Sequence, residues 1–215
     1  MNFNTFTKFA SKLKDAPLPG EESHYKMAPS IRIKALGELN LGQRKPKKAA
    51  VVALFYPDEA LNTRLLLMLR KTYNGVHSNQ VGFPGGKLEK EDKDFRSAAL
   101  RETHEEVGVA PDKIEIFKEL SEVYIPPSNF MVRPFMGIAR ETPLFTPQEE
   151  EVETVIEALF SDVMDDGTTS YETLSTSYAK NIDVPVFKLN GYTVWGATAM
   201  MLNEVKTLFK LCVIP

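Results

Sequence analysis

Apolar residues recur along this chain with more than one period. Near the start, Phe3, Phe6, Phe9 and Leu13 follow helical spacing, which predicts a short amphipathic helix within residues 1–14, packed on the body. Residues 49–56 (AAVVALFY) form a continuous apolar run and residues 64–70 (RLLLMLR) another, as expected of strands covered on both faces. Further strands are expected over 114–124 and 129–138, joined across Pro126-Pro127, and over 151–159, with a helical stretch near 160–164. Residues 184–189 and 192–195 pair as a hairpin through Asn190-Gly191, and 197–211 closes the chain as an amphipathic helix. Residues 15–48 read as irregular, broken by Pro17, Pro19-Gly20, Pro29, Gly37 and Gly42. Residues 165–180, rich in Gly, Ser and Thr, read as a loop. Helices before, between and after the strands imply an α/β fold with helices on both faces of a sheet: a body over 49–215, preceded by an arm over 1–48.

One stretch does not follow a core pattern. Residues 83–109, FPGGKLEKEDKDFRSAALRETHEEVGV, open with a Gly-Gly turn and close on Gly108. Residues 94–107 read as a helix, capped by Asp92 or Asp94 and stopped by Gly108. At about 100° per residue, Leu100, Thr103 and Val107 share one side. Glu102, Glu105 and Glu106 share another, at i, i+3 and i+4, where like charges repel. The expectation is that only solvent or a bound cation relieves them. An all-oxygen face suits a hard cation such as Mg²⁺ or Mn²⁺. It does not suit zinc: His104-Glu105 begins like H-E-x-x-H, but Gly108 stands where the second His belongs, and Cys212 is far off in sequence.

Composition narrows the classes. The 215 residues carry 26 basic and 29 acidic side chains, a balance that argues against a bulk nucleic-acid or membrane-binding surface. A single cysteine excludes an internal disulfide framework and fits a reducing compartment, so the cytoplasm is the expected location. No apolar run approaches membrane-spanning length, and residues 1–14 contain no Arg, which counts against a transit peptide. The cluster Arg44-Lys45-Pro46-Lys47-Lys48 reads as a solvated run before a strand or as a contact for substrate phosphates.

The run Arg101-Glu102-Thr103-His104-Glu105-Glu106-Val107-Gly108-Val109 resembles the second half of the Nudix box, R-E-U-x-E-E-x-G-U, with Thr103 at the usually aliphatic position. In the first half, five residues separate Gly86 from Asp92, and eight rather than seven separate Asp92 from Arg101, with Asp in place of Glu. Upstream, alignment on Phe83-Pro84-Gly85-Gly86 resembles the L-L-T-x-R-[SA]-x3-R-x3-G-x3-F-P-G-G signature of coenzyme A pyrophosphatase-like Nudix enzymes. Arg70 falls on the first Arg of that signature, whereas Lys71, Gly75 and Asn79 depart from it. His77-Ser78-Asn79-Gln80 is similar to the H-x-G-Q before FPGG in that group.

This resemblance implies a Nudix-type α/β/α sandwich with a mixed sheet, and divalent-metal-dependent hydrolysis of a phosphoanhydride bond in a nucleoside diphosphate derivative. Coenzyme A or acyl-CoA leads as substrate, with 3′,5′-ADP and 4′-phosphopantetheine or its acyl form as products. Another substrate such as ADP-ribose or a dinucleotide, or a non-catalytic nucleotide-binding module, is the rival. Glu102, Glu106 and Glu105 are the expected ligands of Mg²⁺ or Mn²⁺, and Arg101 is expected to orient a box glutamate. Glu105 is the first choice for the general base, with Glu149-Glu150-Glu151 as runner-up. Arg70, Lys71, His77, Gly85 and Gly86 are expected to meet substrate, Arg70 and Lys71 through its 3′-phosphate. The partner is a small-molecule diphosphate, not a nucleic acid or membrane; a homodimer is admitted by the reading but not specified by it.

Overall fold

The computed structural model describes residues 1–37, 44–72, 78–175 and 181–212. The arm carries helices α1 (Phe3–Leu13), α2 (Glu21–Tyr25) and α3 (Ser30–Gly37). The body opens with strands β1 (Lys47–Pro57), β2 (Thr63–Arg70), β3 (Val81–Gly82) and β4 (Gly85–Lys87), followed by helix α4 (Phe95–Val107). Then come β5 (Ile114–Glu119), β6 (Val123–Ile125), β7 (Phe130–Ala139), β8 (Val152–Leu159), α5 (Phe160–Met164), β9 (Thr169–Leu174), β10 (Ile182–Leu189), β11 (Tyr192–Val194) and α6 (Gly196–Cys212).

Strand β1 is the hub. It runs parallel to β7 over Lys47–Phe55 and antiparallel to both β2 and β4, so the sheet is mixed. Its side chains alternate between two apolar layers: Ala49, Ala53 and Phe55 point into one, Ala50, Val52, Leu54 and Tyr56 into the other. The first layer holds the buried faces of α1, α5 and α6; the second holds Ala98, Ala99 and Val107 of α4. Helices therefore cover both faces of the sheet, which is why β1 can be apolar at every position from Ala49 to Tyr56. In the first layer, the Phe6 ring lies 4.6 Å from Phe55 and 5.3 Å from Phe209, and Phe160 lies 4.7 Å from Phe209. A second sheet, β11-β10-β9, turns through Asn190 (φ 49°) and Gly191 (φ 80°), the left-handed pair of a tight hairpin. Among the described residues, no helix is long and apolar enough to cross a membrane.

Some sequence expectations need correction. The segment read as irregular contains α2 and α3, helices of 5 and 8 residues, too short to display a period. The expected 165–180 loop contains a 3₁₀ turn (Asp166–Thr168) and β9. Among the described residues, strand β9 pairs only with β10, and its residues are half-buried or exposed, so no apolar alternation marks it. The strand expected over 114–124 is interrupted between β5 and β6, where the Ser121 N–H leaves the ladder and donates to Glu204. Residues 176–180 lie outside the described residues.

Candidate functional site

Three local devices place the acidic helix. Asp94 caps α4, accepting from Ser97 N at 2.7 Å while the Ser97 hydroxyl receives the Asp94 N–H at 2.9 Å, a reciprocal box that fixes the start. Gly108 ends the helix with φ 79°. A Cβ there would come 2.9 Å from Thr146 Cβ. That closeness serves a dock: Thr146 N donates to Val107 O and Gln148 N to Glu106 O, each at 2.9 Å, so the 144–151 loop closes onto the C-terminal end of α4. On the opposite side, β4 pairs with β1 and brings Gly85-Gly86 against the glutamates. Gly85 has φ 141°, and a Cβ on it would come 2.3 Å from Ala50 O. A Cβ on Gly86 would fall 2.5 Å from the Glu102 carboxyl carbon. At Gly85 the backbone leaves no room for a side chain, and at Gly86 a side chain would displace the Glu102 carboxylate.

The three glutamates occupy unlike surroundings. Glu106 is buried, at 2% exposure. Its Oε2 accepts the Gly85 N–H at 2.7 Å and its Oε1 accepts from Arg70 at 3.2 Å. Burial still dominates and pushes its carboxyl up to about 8, against the opposing pull of Arg70 and Gly85. Glu102 is also shifted upward, again chiefly by burial. Glu105 is 56% exposed and accepts from Arg101 at 2.9 Å. Helical counting groups the three but cannot see this gradient.

Arg101 differs from its helical position in what it reaches. Its guanidinium bends back to Glu102 Oε1 (3.1 Å) and Glu105 Oε2 (2.9 Å), and its other edge grips both oxygens of Asp92 at 3.0 and 2.9 Å. The expectation that only solvent or a metal relieves the acids is therefore corrected: Arg101 and Arg70 do part of it. Asp92 anchors Arg101, and the Arg101 hydrogen bonds hold its carboxyl below the ordinary range; Asp94, not Asp92, is the cap.

The other sequence candidates scatter. Arg70 faces the glutamates, whereas Lys71 pairs with Glu153 at 2.8 Å. His77 and Gly75 lie outside the described residues. His104 is exposed. Of the late acidic triplet, Glu151 is exposed yet near enough for its charge to add to the upward shift of both Glu102 and Glu106. The signal for Glu151 is spatial: the loop dock delivers it across 45 residues of chain or more.

A cation fits this site on chemical grounds. Glu106 and Glu102 are desolvated carboxylates with too little positive charge to keep ordinary pKa values, and all donors are hard oxygens. Among the described residues, no three acidic, histidine or cysteine side chains form a ready-made cage; Arg101 engages Glu102 and Glu105, and Arg70 engages Glu106.

Beside the glycines opens a cavity of about 330 Å³, walled by Val51, Phe83, Ile125, Phe130, Trp195 and Met201, among others. That volume suits a small-molecule ligand. Arg32, in the arm, also lines it, a residue to which no sequence motif pointed.

Comparison with known proteins gives consistent matches. The NUDIX domain model matches residues 45–169. "Nudix hydrolase 22, chloroplastic" of Arabidopsis thaliana is 32% identical over 170 residues, 76% of this chain and 56% of that protein, so the chain spans little more than half its length. "Mitochondrial coenzyme A diphosphatase NUDT8" of Homo sapiens is 28% identical over 158 residues, 73% of this chain and 67% of that one. Among solved structures, the M. smegmatis Nudix hydrolase RenU superposes with a TM-score of 0.54 at 17% identity, covering 79% of this chain and 88% of that one.

Proposed function

Since the chain belongs to the Nudix family, we propose that it hydrolyses a phosphoanhydride bond in a nucleoside diphosphate derivative, with Mg²⁺ or Mn²⁺, and that coenzyme A or an acyl-CoA is the substrate. The products are then 3′,5′-ADP and 4′-phosphopantetheine or its acyl form. The observation that carries the reading is the pair of charge-starved carboxylates, the buried Glu106 and the half-buried Glu102, pressed against side-chain-free Gly85-Gly86 at the mouth of an apolar cavity. The similarity to the human coenzyme A diphosphatase and the spacing upstream of FPGG support the substrate.

Glu102, Glu106 and Glu105 are the residues that would hold the cation. When bound, it supplies neutralisation of the diphosphate and acidification of a water. The chain's own groups do the rest. Gly85 N–H holds Glu106 Oε2, Arg70 sits where it can meet a phosphoryl oxygen, and Asp92 fixes Arg101, which in turn orients Glu102 and Glu105. The proton leaving the water needs an acceptor. The charge of Glu151 acts on both Glu102 and Glu106, whereas Glu105 acts on Glu102 and is engaged by Arg101, so we take Glu151 ahead of Glu105 as base.

The second reading, a different nucleotide substrate such as ADP-ribose or a dinucleotide, draws on Lys71: it pairs with Glu153 rather than lining the cavity. A panel of coenzyme A, acetyl-CoA, ADP-ribose and a diadenosine polyphosphate, with Mg²⁺, with Mn²⁺ and with EDTA, tests both. Turnover of the coenzyme A compounds that EDTA abolishes is expected. Preference for ADP-ribose sinks the first substrate assignment, and turnover in EDTA sinks the metal dependence.

A further inference from the structure

The cations around the cavity are not alike in what they touch. Arg70 is tied to Glu106 at 3.2 Å. Arg32 is engaged within the fold, at the Tyr124 carbonyl and elsewhere. Lys87 also borders the cavity, yet among the described residues its ammonium enters no ion pair. The Lys87 carbonyl accepts from Arg101 at 3.1 Å, so the box fixes its backbone and leaves its side chain unclaimed.

Strand register sets a second lysine beside it. Lys87 of β4 lies opposite Ala49 of β1, and Lys47 of β1 lies opposite Phe130 of β7. Alternate residues of a strand share a face, so Lys47 and Lys87 both stand on the face of Ala49 and Val51, which walls the cavity. The Lys47 ammonium lies over the Phe130 ring, 5.6 Å from its centroid, and that ring is itself part of the cavity wall. Among the described residues Lys47 enters no ion pair either. From strand rise and spacing, the two lysine Cα atoms stand roughly 8 Å apart, close enough for both side chains to converge on one group. Both are exposed. Two such cations repel each other, and an anion between them turns the repulsion into attraction. Gly85, which holds Glu106, lies opposite Val51. Lys87 is two residues along β4 from it and Lys47 four along β1 from Val51, about 7 and 14 Å of strand. The lysine pair is therefore set off from the glutamates along the cavity rim.

We infer that Lys47 and Lys87 form a second anion subsite on the β1–β4 rim of the cavity, which holds a phosphomonoester on the non-reacting part of the substrate, with Phe130 as its apolar floor. The inference rests on the proposed function and deepens it: the diphosphate sits at Glu102, Glu106 and Arg70, and the remote phosphate sits between the lysines. In coenzyme A that group is the 3′-phosphate. Arg70 is thereby relieved of the remote-phosphate role that sequence alignment gives it. Lys47, from the basic run before β1, becomes a specificity residue.

Binding of adenosine 3′,5′-bisphosphate and of adenosine 5′-monophosphate is measured by calorimetry in Mg²⁺ buffer at low salt. The proteins are the wild type, the double variant Lys47→Gln/Lys87→Gln and, as a charge control, Lys90→Gln, an exposed lysine of the same stretch that does not line the cavity. All three positions are on the surface, where such substitutions leave folding nearly untouched. In the wild type the bisphosphate should bind about tenfold tighter than the monophosphate, as two exposed ion pairs together allow. In the double variant the ratio should fall to within about twofold of unity, through the bisphosphate alone, and Lys90→Gln should keep the wild-type ratio. Added salt should shrink the wild-type preference. No preference in the wild type, or one undiminished in the double variant, overturns the subsite. So does an equal loss of both ligands, which would put the lysines on the shared phosphate, and so does a loss of preference in Lys90→Gln as large as in the double variant. Coenzyme A turnover by the wild type is followed in parallel: its absence defeats the proposed substrate, while the binding ratio stands or falls by itself.

Discussion

Two glutamates are buried among the described residues, and they have opposite fates. Glu106 in the box and Glu204 in α6 are 2% and 0% exposed. Burial raises both. At Glu106 burial wins, and the carboxyl rises to about 8 despite Arg70 and the Gly85 N–H. At Glu204, hydrogen bonds outweigh it and hold the carboxyl below its ordinary value: His24 Nε2 lies 2.9 Å away, the Ser121 hydroxyl donates at 2.6 Å, and the Ser121 and Gly20 N–H groups add to them. Glu204 is a clamp, joining arm, β5–β6 connection and last helix through satisfied bonds. Glu106 sits among like charges from Glu102 and Glu151, with charge demand left over. Depth does not separate a structural carboxylate from a working one; the balance of donors around it does.

The strongest way to break this contrast is to neutralise each carboxylate. Glu106→Gln should cut kcat on the order of a thousandfold, comparable to removing a key transition-state contact, with a far-UV spectrum like the wild type. Without metal, the variant should melt no lower than the wild type, because the cost of desolvating or protonating that carboxyl has gone. A melting temperature well below wild type would show Glu106 to be a second clamp. A finer division separates the two candidate bases: Glu151→Gln should lower kcat by about a hundredfold, and Glu105→Gln by less, in single-turnover assays at saturating Mg²⁺. The reverse order returns the base to Glu105.

Glu204→Ala should behave oppositely to Glu106→Gln. Leaving His24 and Ser121 without their shared acceptor should cost about 3–5 kcal/mol of stability in urea titrations, while kcat per folded molecule stays near wild type. The smallest effect is in pH. A carboxyl depressed by folding adds stability that is present above its ordinary unfolded value and lost as pH falls through the folded one. Wild-type melting should therefore fall through the acid end of the carboxylate range more steeply than that of Glu204→Gln. Equal slopes would remove Glu204 from the acid sensitivity.

The sequence displayed one half of this contrast and concealed the other. The box glutamates announce themselves by spacing on one helix, and the β1 and β2 runs are legible because both faces of those strands are apolar. Glu204 sits in the closing helix with partners 83, 180 and 184 positions away, so no local pattern marks it as buried. Arg32 was invisible for the same reason, being one cation in an eight-residue helix that only the fold brings to the cavity wall. Even within the box, spacing gathered Glu102, Glu105 and Glu106 without telling which is buried, since that is decided by the 144–151 loop and by Gly85. Strand β9 escaped because an edge strand of Thr, Ser, Tyr and Glu needs only a neighbour's backbone.

The stack of Phe6 on Phe209 has a consequence for how the chain is made. These rings meet at 5.3 Å, although about 200 residues of chain separate them. Until α6 leaves the ribosome, Phe3, Phe6 and Leu13 have no complete partner surface, and the nascent arm must wait with its apolar face uncovered. Closure of this layer is then a late, long-range event, slow relative to the local β1–β2 pairing and exposed to chaperones in the interval.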